Sequence, residues 1–340
     1  MNAYGVNQNE NPDLKWESTS MFNAGLDFEL WRGRLGGSIE YYNKETKDLL
    51  YEYDVPSPPY QFNRLLANGA SMSNKGVEIT LNAMVYRNSN FSYNTTVNFA
   101  RNVNKVGSLS SNIENIGVSE RYEGSIGLDG WTGQTAAIVL PGQALGTFYV
   151  ANYIGYDATA KKTIYQKPSG ELVTQDQISA PDDYMVMGHA LPKFTYGWNN
   201  SFQYKNWDLN FFLRGMYGNQ IFNATRADLS RLQQANVTNI SKDAVEEGIF
   251  ETPLIASSRF IEDGSFLRLD NATLGYSFNV KESKYFKNAR LYVSGQNLFT
   301  ITKYSGVDPE VSLSGLAPGV DNRNYYPKTR SFLLGVKLAF

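Results

Sequence analysis

The 340-residue chain contains no cysteine and a single histidine, His189. Without thiols there is no disulfide framework and no thiolate site for zinc or an iron–sulfur cluster. One imidazole excludes a two-histidine zinc site and leaves one candidate base for a Ser–His pair. Excess charge is also missing: 31 basic residues against 33 acidic ones give a net charge of −2, which argues against a nucleic-acid surface. No apolar run approaches the roughly 18 residues of a transmembrane helix. The start, Met1 to Glu10, has no basic-then-apolar signal peptide. No P-loop or GxGxxG pattern follows a strand and opens a helix.

Aromatic residues are abundant: 23 Tyr, 19 Phe and 5 Trp make up 14% of the chain, beside 29 Gly. That composition favours strands and turns over helices. Apolar and polar residues alternate in nine segments, near 18–30, 34–47, 76–86, 91–104, 194–205, 207–221, 266–278, 289–299 and 330–340. Soluble strands usually run about 5–6 residues, whereas a tilted strand crossing a bilayer needs about 9–11. The last segment is the cleanest. Phe332, Leu334, Val336, Leu338 and Phe340 share one face, opposite Ser331, Leu333, Gly335, Lys337 and Ala339; the first set is the expected assembly signal of a terminal membrane strand. Within 207–221 the apolar face is read as Trp207, Leu209, Phe211, Leu213, Tyr217 and Ile221. Within 266–278 the apolar phase switches after Leu269, which predicts a β-bulge near Asp270–Asn271.

The connections alternate strictly between short (31–33, 87–90, Asn206, about 279–288) and long (48–75, 105–193, 222–265, 300–329). Tight turns therefore collect at one end of an up-and-down sheet and large loops at the other, as in outer-membrane barrels with periplasmic turns and extracellular loops. The expected fold is all-β: an antiparallel up-and-down transmembrane β-barrel segment of about nine strands, an open partial barrel with long extracellular loops. Charge placement agrees. A lipid-facing charge at mid-depth costs about 2–4 kcal/mol, and Asp27, Glu40, Glu78 and Arg214 fall on the polar face. Arg101 is the exception, and it sits near the loop end of its segment, where the cost falls. A soluble sandwich or β-helix explains the alternation equally well, but neither the strand length nor the asymmetry of turns and loops.

Two surfaces are then candidates for function. Glu40, Glu78, Asn94, Asn98, Asn199, Asn210, Arg214 and Gln296 would line a wet lumen. Tyr51, Tyr53, Tyr60, Phe62, Trp131, Phe148, Tyr149, Tyr153 and Tyr156 are the loop aromatics that are candidates to meet a ligand or partner, although for any one of them packing within the loop is the favoured role. Enzyme readings are poor, and no catalytic residue, cofactor or metal site is expected. His189 reads as an exposed loop histidine. Asp182–Asp183 and Asp308/Glu310 could be imagined as glycosidase carboxylates, but chance pairs are expected among 33 acidic residues.

Particular stretches carry a family likeness: Asn11-Pro-Asp-Leu-Lys-Trp-Glu17, Tyr41-Tyr-Asn-Lys-Glu-Thr-Lys-Asp-Leu-Leu50, Asn74-Lys-Gly-Val-Glu78, Leu191-Pro-Lys-Phe-Thr-Tyr-Gly197, Ile261-Glu-Asp-Gly-Ser-Phe-Leu-Arg-Leu269, Gly295-Gln-Asn-Leu-Phe299 and Tyr326-Pro-Lys-Thr-Arg330. In these the chain resembles the C-terminal part of SusC/RagA-type TonB-dependent outer-membrane transporters of Bacteroidetes-like bacteria. The resemblance implies an outer-membrane barrel of about 22 strands around a plug, of which these would be the last nine. The signal peptide, TonB box and plug would be absent, so the chain is expected to be a fragment. It further implies TonB-dependent import of an oligosaccharide or peptide, together with a SusD-like surface lipoprotein. Many relatives carry an acidic calcium-type loop; here Tyr156-Asp-Ala-Thr-Ala-Lys-Lys162 and Ala180-Pro-Asp-Asp183 lack its ligand spacing. A non-energised outer-membrane pore or surface adhesin barrel, and a soluble glycan-binding β-protein, are the alternative readings.

Overall fold

The structure, a computed structural model, describes residues 7–110, 118–127, 131, 133–250, 255–279, 285–323 and 326–340. Nine long strands form one antiparallel sheet: β1 (Ser18–Leu30), β2 (Leu35–Asp54), β3 (Arg64–Arg87), β4 (Phe91–Ser108), β5 (Phe194–Tyr204), β6 (Trp207–Tyr217), β7 (Phe266–Phe278), β8 (Asn288–Thr302) and β9 (Ser331–Ala339). Each pairs with the next in chain order, and β1 and β9 do not pair with each other, so the sheet is open.

The register brings like faces together. Ile39 pairs with Ile79, Ile79 with Phe99 and Phe99 with Tyr196. On this outer face Phe22, Leu26, Ile39, Val97, Trp198, Leu274, Val293, Phe332 and Leu334 are exposed, with no second layer over them among the described residues. So much contiguous exposed apolar surface is incompatible with water and suits hydrocarbon. The opposite face is a ladder of amides and hydroxyls. Thr80 donates to Asn98 (3.0 Å), Thr96 to Asn82 (2.8 Å), and Thr273 and Ser294 share a hydrogen bond of 2.7 Å. The register shifts between Leu269 and Asn271. That bulge lets the apolar set change phase while staying outward, and it puts Asp270 beside Asn271 on the polar face.

Two glycines on the polar face permit contacts across an intervening strand. Arg290 on β8 reaches over Gly275 to Asp208 on β6, Nε to Oδ1 at 2.8 Å. A Cβ at position 275 would lie 2.4 Å from the guanidinium. Tyr42 on β2 crosses Gly76 in the same way and donates to Asn102 on β4 at 3.1 Å.

Several boundaries differ from the sequence reading. The stretch 48–75 is mostly strand: β2 runs to Asp54 and β3 begins at Arg64, leaving 55–63 as the connection. Register shifts between Thr46 and Leu50 break the strict alternation, which is why the extension reads as loop. β4 and β8 likewise run on to Ser108 and Thr302. In the segment read as 207–221 the strand stops at Tyr217. Gly218 turns the chain with φ +78°, and Ile221 is buried in a separate short strand instead of facing outward.

The remaining long connections fold into a cap with its own interior. Arg121–Ser125, Thr135–Val139, Thr147–Val150 and Met185–His189 form a four-stranded sheet. Asn152–Asp157, Lys162–Gln166 and Leu172–Thr174 form a second, and Gln220–Asn223, Ile261–Asp263 and Val320–Asp321 a third. Two short helices are added, α1 (Ala224–Leu229), capped by Asn223, and α2 (Lys242–Glu247), capped by Ser241. Trp131, Phe148, Tyr165, Phe222, Phe260 and Val320 lie in one core, so three separate connections share a single apolar interior.

Candidate functional site

The aromatic loop candidates divide by burial. Tyr53, Trp131 and Phe148 are each 1% exposed or less. Trp131 meets the edge of Phe260 at 5.8 Å between centroids, and Phe148 lies 6.5 Å from Phe222. Tyr53 donates to the Leu109 carbonyl at 3.1 Å. These three are enclosed by the chain itself and offer no face to a ligand, because the loops need an interior to stay folded. Tyr60, Phe62, Tyr149, Tyr153 and Tyr156 are half-buried and do present surface. The Phe62 amide and carbonyl are both held by the Asn9 side chain, at 3.0 and 2.6 Å.

Tyr51 is also half-buried, and it lines a cleft of about 320 Å³ with Glu52, Asp54, Arg64, Glu120, Arg121 and Tyr122. The Arg121 guanidinium stacks over the Tyr51 ring at 4.7 Å and donates to its hydroxyl. Tyr122 donates to Glu120 at 2.5 Å; burial and that carboxylate push its phenol upward. Next to it, Tyr122, Tyr149 and Tyr184 form a run of rings 6.0 and 6.1 Å apart. Burial pushes Tyr184 up to about 12, so the phenols stay neutral donors at any physiological pH.

A second constellation lies on the polar face of the sheet, and only one of its members was singled out as lumen-facing from sequence. The connection after β8 dips back onto the wall at Asp308-Pro309-Glu310. Arg214 holds Glu310 with two parallel bonds of 2.5 and 3.0 Å and reaches Asp270 at 2.8 Å. Arg268, 1% exposed, donates to Asp308 at 2.7 Å and to Asn297 at 2.9 Å, and its Nε lies 3.4 Å from Glu310. Lys328 adds a further bond to Glu310. Burial would raise the Glu310 carboxyl, but Arg214 and Lys328 outweigh it and hold it down at about 2. Asp308 and Glu310 are therefore committed as counter-ions and are not a free acid–base pair. Beside this clamp, an open polar groove of about 830 Å³ runs between β7, β8 and residues 326–331. Bidentate Arg–carboxylate geometry at the foot of a loop gives a rigid attachment. The available signal was Arg268 and Arg214 in polar phase together with two acids flanking a proline.

The other candidates fall elsewhere. Gln296, Asn98, Asn199, Asn210, Asn94, Glu40 and Glu78 lie in the polar phase of their strands, with Glu40 paired to Glu78. Asp183 accepts from the Ser179 amide at 2.8 Å and pairs with Lys167 at 3.1 Å. His189 is not in an exposed loop: it ends a strand, is half-buried, and its amide donates to Gln220 at 3.1 Å.

The family profile described as TonB dependent receptor-like, beta-barrel matches residues 1–298. The chain belongs to the TonB-dependent receptor β-barrel family. Among its relatives, TonB-dependent receptor P3 of Formosa agariphila is 32% identical over 97% of the chain and 35% of its own length. TonB-dependent receptor SusC of Bacteroides thetaiotaomicron is 32% identical over 97% of the chain and 32% of its own length. A solved structure of the RagAB peptide transporter superposes with a TM-score of 0.80 at 26% identity, over 99% of this chain and 37% of that one. The likeness is thus to the SusC/RagA type, and the chain spans about a third of the length of the relatives it matches. Membership places this β-barrel sheet in the bacterial outer membrane; its exposed apolar face suits lipid, and the clamp lies on the opposite, polar face.

Proposed function

We propose that this chain supplies wall, external loops and part of the partner surface of a TonB-dependent importer of oligosaccharides or peptides. In that reading a SusD-like lipoprotein sits over the cap, and the TonB complex acts through a plug-bearing region of the whole receptor. The carrying observation is the two-faced sheet, apolar outward and polar inward, with a loop anchored by ion pairs on the lumen side. Likeness to TonB-dependent receptor SusC and to the RagAB peptide transporter supports the energised reading, and the second of these supports a peptide cargo. The half-buried tyrosines around the 320 Å³ cleft suit stacking on a sugar ring or a peptide side chain.

The test is uptake by cells with and without the complete receptor gene, using labelled oligosaccharide and labelled peptide pools. Import of one pool should fall at least tenfold on deletion, and equally when a protonophore collapses the proton-motive force. Uptake that survives the protonophore would instead favour a passive pore. Adhesion lost without any change in uptake would favour an adhesin. A tagged receptor should also retain a surface lipoprotein through detergent extraction.

A further inference from the structure

Arg101 is an unusual residue for a lipid-facing strand position. It shares the outer face of β4 with Phe99 and Val103, is exposed, and has no ion-pair or hydrogen-bond partner among the described residues. Its height is informative. From Phe91, beside the periplasmic turn, a strand tilted by about 40° climbs about 25 Å to reach Arg101. That is the full thickness of the apolar band, so Arg101 lies where hydrocarbon gives way to head groups. The aromatic belt marks the same level: Phe194 lies 5.3 Å from Phe99 and stacks on Tyr217 at 5.0 Å.

The wall is notched here. β5 pairs with β4 only as far as Thr195 against Ala100, while β4 continues upward. The notch is a cleft of about 480 Å³ lined by Phe99, Arg101, Val103, His189, Lys193 and Phe194 among others, and no carboxylate lines it. Lys193 is exposed and also without an ion pair among the described residues, and the His189 Nδ1 atom is buried without a hydrogen-bond partner. Above Ala100 the β5 side of β4 has no strand partner, and residues 142–143 close it only at Val106, whose amide donates to the Gln143 carbonyl and whose carbonyl accepts from the Gly142 amide, both at 2.8 Å. A gap of this kind at the membrane boundary suits a polar occupant, since lipid tails cannot satisfy an open strand edge.

We propose that this notch binds the phosphate of an outer-leaflet lipid. Arg101 and Lys193 hold the phosphate, and the acyl chains lie down the face formed by Phe99 and Phe194. The apolar ledge directly beneath two unpaired cations selects an amphiphile over a soluble anion.

The test uses the complete receptor, extracted in neutral detergent, stripped of lipid by exchange, and titrated with lipid A, with enzymatically dephosphorylated lipid A and with inorganic phosphate. Binding is read by native mass spectrometry and by the melting temperature. Lipid A should form a one-to-one adduct and raise the melting temperature; the dephosphorylated lipid should bind at least tenfold more weakly, and inorganic phosphate at the same concentration should do nothing. Arg101→Gln with Lys193→Gln should weaken lipid A binding at least tenfold, Arg101→Lys should largely keep it, and Arg32→Gln at a periplasmic turn should leave it unchanged. Equal binding of the two lipids, or of the unaltered protein and the double variant, overturns the proposal. Protection by inorganic phosphate alone reassigns the notch to a soluble anion and overturns it too. If the double variant does not fold, the two-lipid comparison on unaltered protein decides.

Discussion

Glu310 shows how one side chain can join a loop to a wall. Its carboxylate takes two bonds from Arg214 and one from Lys328, and its own amide donates to Asp308 at 2.8 Å. Removing one partner of a buried charge group costs more than the pair contributes, because the others remain desolvated and mutually repelling. In the complete receptor, Glu310→Gln should raise hydrogen exchange of the amides in 305–312 about tenfold, a loss of roughly 1.4 kcal/mol. The pH dependence has a defined sign. The folded carboxyl sits near 2, below its ordinary value, so its contribution is fully present above about pH 4.5 and is lost as pH falls toward 2. Protection factors in this loop, with the intrinsic exchange rate at each pH divided out, should fall over that window in the unaltered protein, and the fall should be absent from the variant. Gly275 makes a matching case on the wall. Gly275→Val would push the Arg290 guanidinium off Asp208, and thermal unfolding should fall by an amount equivalent to about 1–3 kcal/mol.

Strands read differently from loops because period two is a local property and a packed cap is not. On β9, alternate residues face hydrocarbon and lumen: Phe332, Leu334, Val336 and Leu338 are exposed outward, while Leu333 pairs with Ser294 on the polar side. Leu334→Arg should cost about 2–4 kcal/mol and cut the heat-modifiable folded fraction sharply, whereas Leu333→Arg should be tolerated. Equal effects of the two substitutions would contradict the assigned faces. Asn200 was not legible in this scheme. It is a polar residue at an outward position; Tyr93 and Thr95 donate to its carbonyl oxygen at 2.7 and 3.3 Å, while its Nδ2 is buried without a hydrogen-bond partner among the described residues. In the cap, Trp131 packs on Phe260 inside a core built from three connections. Trp131→Ala should cost about 3–5 kcal/mol there. Limited proteolysis should cut the loops of that variant while the heat-modifiable barrel band persists, because the wall does not depend on the same contacts.

The nine strands together form a wall with two bare edges, at β1 and β9. Lipid cannot satisfy an open strand edge, at several kcal/mol per exposed group. Expressed alone, these 340 residues should therefore give no heat-modifiable membrane species, and the complementary strands should be needed for insertion; a stable, detergent-soluble monomer of the chain alone would contradict this. Side-chain alternation and recurrent motifs, written in neighbouring residues, were enough to reveal nine strands, their two faces, the bulge after Leu269 and the family. Which loop aromatics are enclosed, how far the strands extend past the alternating segments, and that Arg214, Arg268, Asp308 and Glu310 meet became visible only in the folded chain. Those outcomes depend on register across strands and on connections of tens of residues, and no local pattern encodes the distance between residues 214 and 310.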